Sequence, residues 1–365
     1  MADLFEYLTW RGDLDFSEAA FNEVDCLLLC QITYLNYSSL VPHDFSDRGP
    51  LLENVAQNMQ NLKDFGQRSS LGPGLNPKTM ELFLEASKTR RFGLLRLCAF
   101  RNIIDLEKEE QFCAVTFSSP QWHAVIYRGT DSSIVGWKED FNLGYLPQVP
   151  AQLDATEYLN QAFTELKGQI ILGGHSKGGN LSLYAATHCK SECLDRILSI
   201  YNNDGPGFNA DFFKSEHFLS IRDRLHTYVP QLSVVGMLFS HPDDYKVVRS
   251  NEKGLGQHDP MSWILNGHGF DLLEKRDNAS MFIGETVNQW IDDLSPAEKE
   301  DFIETIFGVL GSADITEVAQ MKDNPIKSLS RVIGVSSKLS SKTRNAVLHI
   351  VGELFKTAMD NLHGK

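Results

Sequence analysis

Gln169-Ile170-Ile171-Leu172-Gly173-Gly174-His175-Ser176-Lys177-Gly178-Gly179-Asn180-Leu181-Ser182-Leu183-Tyr184-Ala185-Ala186-Thr187 reads as a short strand, a sharp turn and a helix, with a serine at the turn. Ile170-Ile171-Leu172 is wholly apolar, the pattern of a strand buried on both faces. Leu181, Leu183, Tyr184, Ala185 and Ala186 continue as a helix of small and apolar residues. Between them, Gly174-His175-Ser176-Lys177-Gly178 fits G-x-S-x-G, a turn that holds its serine in a strained conformation with the hydroxyl exposed above the sheet. Glycines two residues before and after are required because strand and helix backbones approach too closely there for a Cβ. The stretch therefore names a candidate nucleophile, Ser176, together with its structural setting.

A serine hydroxyl needs a histidine to take its proton and a third group to orient that histidine. With this type of turn the chain order is serine, then acid, then histidine. Asp204, in Asn202-Asn203-Asp204-Gly205-Pro206-Gly207, follows the next apolar strand and suits the acid; Asp243 and Asp244 are fallbacks in a polar loop. His258 lies in a Gly-rich loop beyond the last expected strand and suits the base, ahead of His241 and His268. An oxyanion needs donors. The backbone N–H of Lys177 is one, and Thr130 in Tyr127-Arg128-Gly129-Thr130-Asp131 offers a backbone N–H and a hydroxyl, which Asp140 could hold. The Lys177 side chain is expected to be a surface or mouth charge.

Tyr-Arg-Gly-Thr followed by Trp137-Lys138-Glu139-Asp140 and the Gly-His-Ser elbow resembles the class 3, fungal-type lipases. Gly-His-Ser-Lys-Gly-Gly-Asn, Asn-Asp-Gly-Pro-Gly-Phe and Gln-His-Asp resemble more closely an uncharacterised bacterial branch of that superfamily. The lipase resemblance covers roughly residues 110–265. It implies an α/β-hydrolase fold and, by position, Ser176 as nucleophile, His258 as base, and Thr130 with Lys177 as oxyanion hole. It also implies that residues 132–150 could form a lid, with Ile134, Val135, Trp137 and Leu146 as its apolar face, ordinary packing of these side chains being the equal alternative. The acid departs from the pattern. Class 3 lipases carry it after the following strand, where this chain reads Thr227-Tyr228-Val229-Pro230-Gln231-Leu232-Ser233, without a carboxylate.

The 365 residues are 42% hydrophobic and 22% charged, with a net charge of −14. That acidic balance argues against nucleic acid or an anionic membrane as partner. Neither a signal peptide nor an apolar run long enough to span a membrane is evident. Of the six cysteines, Cys26/Cys30 and Cys189/Cys193 are spaced i, i+4 and read as core neighbours rather than metal ligands. A reduced, cytoplasmic setting fits.

The expected organisation is an α/β core over residues 93–279, a mostly parallel sheet with helices on both faces, between helical regions at 1–92 and 280–365. Within it, a buried amphipathic helix is expected over 17–40, turns over 41–78 and around Glu107-Lys108-Glu109-Glu110, and strands at 111–117, 122–128, 196–202, 226–230 and 245–249. A helix is expected at 153–167, and an apolar helical stripe at Val347, Ile350, Val351, Leu354 and Phe355. The resulting expectation is a serine hydrolase cleaving a small-molecule carboxylic ester, without metal or organic cofactor. A thioesterase or amidase would use the same chemistry. The rival is a non-enzymatic binding or scaffold protein on the same fold.

Overall fold

The computed structural model describes residues 2–276, apart from Asp47, Pro73, Gly74, Tyr145, Val234 and Asp243, together with residues 295, 297–300, 303, 304 and 307. The stripe expected around Val347–Phe355 lies outside the described residues.

Six helices come first: α1 (Leu4–Arg11), α2 (Glu23–Ile32), α3 (Leu52–Gln60), α4 (Phe65–Ser69), α5 (Thr79–Ser87) and α6 (Arg90–Gly93). The strands β1 (Arg96–Asp105), β2 (Glu110–Ser118) and β3 (Trp122–Tyr127) then form an antiparallel meander. After α7 (Ile134–Asn142) and α8 (Pro150–Glu165), β4 (Gln169–His175) pairs parallel with β3 and leads into α9 (Lys177–His188). β5 (Ile197–Asn203), α10 (Glu216–Ile221), β6 (Leu225–Pro230) and β7 (Tyr245–Val248) continue the parallel part. A small hairpin, β8 (Leu265–Asn266) and β9 (Gly269–Phe270), precedes β10 (Leu272–Leu273). The main sheet runs β1-β2-β3-β4-β5-β6-β7-β10, with β10 antiparallel to β7. It is a mixed α/β sheet with the α/β-hydrolase arrangement, parallel through its centre.

Strand alternation divides the core. Cys113, Val115 and Phe117 of β2, with Ala124, Ile126 and Ile171, pack under the N-terminal helices. Phe112, Ala114, Val125, Tyr127, Ile170 and Leu172 pack under α8 and α9. The helix expected over 17–40 is only α2, and it is buried all round rather than amphipathic: Val24 through Ile32 are all inside. Asn22 sets its start. The Asn22 side chain accepts from the Val24 and Asp25 N–H groups, and Asp25 accepts from Asn22 N–H, a reciprocal cap.

Two further departures have local causes. The turn-rich region 41–78 contains α3 and α4. β1 was not expected; a bulge between Cys98 and Arg101, with Ala99 at φ 55°, breaks the alternation that would have marked it. The charged run 107–110 is a turn only through Glu109, since Glu110 opens β2 and is buried. All six cysteines are buried thiols. No helix among the described residues is long and apolar enough to cross a membrane.

Candidate active site

The β4–α9 turn has the geometry its glycines require. Ser176 sits at φ 57°, ψ −135°, a backbone region that costs a non-glycine residue about 1–3 kcal/mol. A Cβ on Gly174 would lie 2.0 Å from the Gly178 carbonyl, and one on Gly178 would lie 2.1 Å from the Tyr127 carbonyl oxygen. No larger residue fits either place. The Ser176 N–H donates to the Asn203 carbonyl at 3.0 Å, tying the turn to the end of β5. Ser176 itself is partly exposed, while both of its neighbours are buried.

Asp204 follows β5 directly, in a left-handed conformation at φ 52°, with its carboxylate wholly buried. Its Oδ2 accepts from His258 Nδ1 at 2.6 Å and its Oδ1 from the Ser233 hydroxyl at 2.5 Å. A buried carboxylate facing Nδ1 fixes the proton there and leaves Nε2 with its lone pair. The two residues come from opposite ends of a long connection. Asn180 braces the acid's loop by donating to the Pro206 and Gly207 carbonyls at 3.0 Å each.

The loop carrying His258 is held to the elbow itself. His175 Nε2–H donates to the His258 carbonyl at 2.8 Å, so His175 Nδ1 accepts from the Tyr34 hydroxyl at 3.3 Å. Burial holds the His175 imidazole well below the usual histidine range, and the neighbouring His258 adds to this, so it is neutral. Trp263 Nε1–H donates to the Gln257 carbonyl, and Gln257 Oε1 accepts from Leu232 N–H.

The alternative candidates have other partners or lie at the surface. His241 donates to the Leu238 carbonyl, and burial lowers it to about 4. His268 is exposed, Asp244 pairs with Arg222 at the surface, and Asp243 lies outside the described residues.

On the other side of Ser176 runs the loop after β3. A Cβ on Gly129 would stand 3.0 Å from Ser176 Cβ, which sets Gly129, the residue before Thr130, against the serine. The Thr130 hydroxyl donates to Asp140 Oδ2 at 2.5 Å. Arg128 steadies the loop through Asp131 at 2.8 Å and Asn102 at 3.0 Å. Burial pushes the Asp140 carboxyl up to about 6, while Lys177 pulls it down.

The Lys177 side chain departs from expectation. It is a buried cation, 1% exposed, and not a surface charge. Its ammonium meets Glu139 Oε2 and the Gln111 carbonyl, each at 2.9 Å. Glu139 in turn accepts from the Gln111 and Ala151 N–H groups. The stretch 132–150 is thus α7 and its turn into α8, fastened inward through Glu139. Val135 is buried, and Ile134, Trp137 and Leu146 are partly so.

Tyr34, Gln111, Glu139, His175 and Ser233 are the participants that motif reading missed. Only His175 carried a signal, as a histidine inside the elbow itself. Among the described residues no group of three or more His, Cys, Asp or Glu side chains is placed to hold a metal ion.

The sequence pattern described as Mbeg1-like matches residues 86–308, more than half of the chain. The chain belongs to the Mbeg1-like family. The span matched to the Mbeg1-like pattern contains Thr130, Asp140, Ser176, Lys177, Asp204 and His258, and begins after Tyr34 and Asn76. No curated protein matches this Mbeg1-like chain in sequence. Among solved structures it is similar to M37 lipase, at 15% identity and TM-score 0.37, over 60% of this chain and 70% of that one. It is also similar to a Rhizomucor miehei lipase propeptide complex, at 15% identity and TM-score 0.35, over 64% and 74%. A fungal lipase–inhibitor complex aligns at 12% identity and TM-score 0.34, over 65% and 93%.

Proposed function

We propose that this protein is a serine hydrolase that cleaves a carboxylic ester through an acyl-Ser176 intermediate. The observation that carries the reading is the 2.6 Å bond from His258 Nδ1 to the buried Asp204 carboxylate, in a fold that also presents Ser176 on a strained turn. In this reading His258 Nε2 takes the Ser176 proton as Oγ attacks the ester carbonyl carbon. Asp204 stabilises the imidazolium that forms. The negative charge on the carbonyl oxygen is met by the backbone N–H groups of Lys177 and Thr130. Collapse of the tetrahedral intermediate expels the alcohol, which takes its proton from His258. Water then attacks the acyl-serine with His258 again as base, and the acid leaves.

No step of this scheme calls for a metal or an organic cofactor. The substrate is a small-molecule ester, in keeping with the acidic surface, which disfavours polyanionic partners. The test is covalent labelling with a fluorophosphonate, followed by peptide mapping. Modification at Ser176, lost in Ser176→Ala together with p-nitrophenyl ester turnover, is the expected result. Unlabelled protein, or turnover that survives Ser176→Ala, overturns the reading.

A further inference from the structure

The residue after the candidate nucleophile sends its side chain inward to a place no hydrolytic step requires. Lys177 Nζ is surrounded by Glu139 Oε2 at 2.9 Å, the Gln111 carbonyl at 2.9 Å and Asp140 Oδ1 at 3.9 Å. Asp140 Oδ1 is shut off from solvent and receives no hydrogen bond, so this cation is its compensation. Glu139 Oε2 also accepts from Gln111 N–H at 3.0 Å and Oε1 from Ala151 N–H at 2.9 Å. One buried ammonium thus joins the first turn of α9 to β2, to α7 and, through Glu139, to the start of α8.

Stability is a poor explanation for such a pair. Removing two charges from water costs free energy that their attraction only partly returns, and apolar replacements are often as stable. What the pair does fix is the position of α7 relative to Ser176. α7 carries Asp140, and Asp140 holds the Thr130 hydroxyl at 2.5 Å.

We propose that the Lys177 side chain is a positioning residue for the oxyanion site: its backbone N–H is one donor, and its ammonium, through Glu139 and Asp140, sets the place of the other donor, Thr130. This rests on the ester-hydrolase reading above. Displacing an oxyanion donor raises the barrier to the chemical step and leaves ground-state binding nearly unchanged.

The experiment compares wild type, Lys177→Met and the double variant Lys177→Met/Glu139→Gln for Tm, kcat and KM on a p-nitrophenyl ester. Lys177→Met strands the Glu139 charge and is expected to lower both Tm and kcat. In the double variant the Glu139 charge is removed together with its partner, Asp140 loses only the more distant cation at 3.9 Å, and the neutral amide introduced by Glu139→Gln still offers an acceptor to a backbone N–H. Its Tm is expected to return toward wild type while kcat stays about 10–100-fold low and KM changes less than about threefold. Recovery of kcat together with Tm, or a loss confined to KM, overturns the proposal and leaves the hydrolase reading intact. A wild type without ester turnover overturns both.

Discussion

Ser233, at the end of β6, donates a 2.5 Å hydrogen bond to Asp204 Oδ1, at the end of β5. The lipase resemblance puts the acid in the loop that Ser233 occupies. Here a hydroxyl stands in that loop and braces a carboxylate supplied by the neighbouring strand. Both positions lie beyond the C-terminal ends of adjacent parallel strands, and the His258 loop is bonded to Asp204 and to Leu232. Asp204 therefore has both oxygens engaged, one by Ser233 and one by His258.

Asp204→Asn is expected to reduce kcat by up to about 10⁴-fold, because an amide at this place favours the wrong tautomer of His258. Ser233→Ala removes this hydroxyl donor and is expected to cost only several-fold. Asp244→Asn, at the surface on Arg222, should leave steady-state kinetics unchanged. Equal losses from Asp204→Asn and Asp244→Asn would remove Asp204 from the mechanism.

Gly236 is a second route to the same carboxylate. A Cβ built there would lie 2.1 Å from Asp204 Oδ1, so Gly236→Ala must push the carboxylate or its loop aside. The expected outcome is a kcat loss of about 10-fold or more without direct contact to substrate, since small displacements of catalytic groups are costly. A Gly236→Ala enzyme with wild-type kcat would mean that the His258–Asp204 geometry tolerates such a shift.

The Thr130 hydroxyl has one proton and gives it to Asp140. With burial pushing Asp140 up to about 6, the carboxylate form above that pH can only accept, and it retains the hydroxyl proton. Below that pH the carboxyl can donate to Thr130 Oγ and release the hydroxyl toward the substrate. The kcat ratio of wild type to Thr130→Val is thus expected to be larger at about pH 5.5 than at about pH 7.5, by as much as about tenfold. A ratio independent of pH would leave only the Thr130 backbone N–H as donor.

His175 links acid stability to the elbow. Its folded-state pKa lies well below the ordinary 6.5, so the unfolded chain binds a proton that the folded protein refuses. Stability from this group is full above about 6.5 and is lost as pH falls, by about 1.4 kcal/mol per unit. Chemical denaturation at about pH 7 and about pH 5 should therefore show the stability advantage of wild type over His175→Gln shrinking on acidification. An advantage that grows on acidification would mean that His175 is charged in the folded state.

The parts of this molecule that could be read in advance are those where one residue type answers a backbone demand. Gly174 and Gly178 mark the close approach of strand and helix, and Asp204 ends an apolar strand. Lys177 and Glu139 could not be read this way. A buried ion pair has the same letters as a surface one, and only the third dimension brings α7 against the start of α9. α2 misled for a related reason. Apolar residues at helical spacing are present in it, but so are apolar residues between them, because it is sealed between the sheet and the other N-terminal helices.

α2 lies against β4, the strand that ends at the elbow, and two side chains from the first 92 residues bond neighbours of His258. Tyr34 bonds His175, and Asn76 donates a 2.6 Å hydrogen bond to Asp259, the residue after His258. Trimming the chain to begin at β1 would strip one whole side of the sheet and untether the base at a stroke. In engineering terms the first 92 residues are packed into the body of the protein and are not a detachable appendage. A chimera that exchanged the catalytic strands between relatives would inherit a working site only if α2, Tyr34 and Asn76 travelled with them.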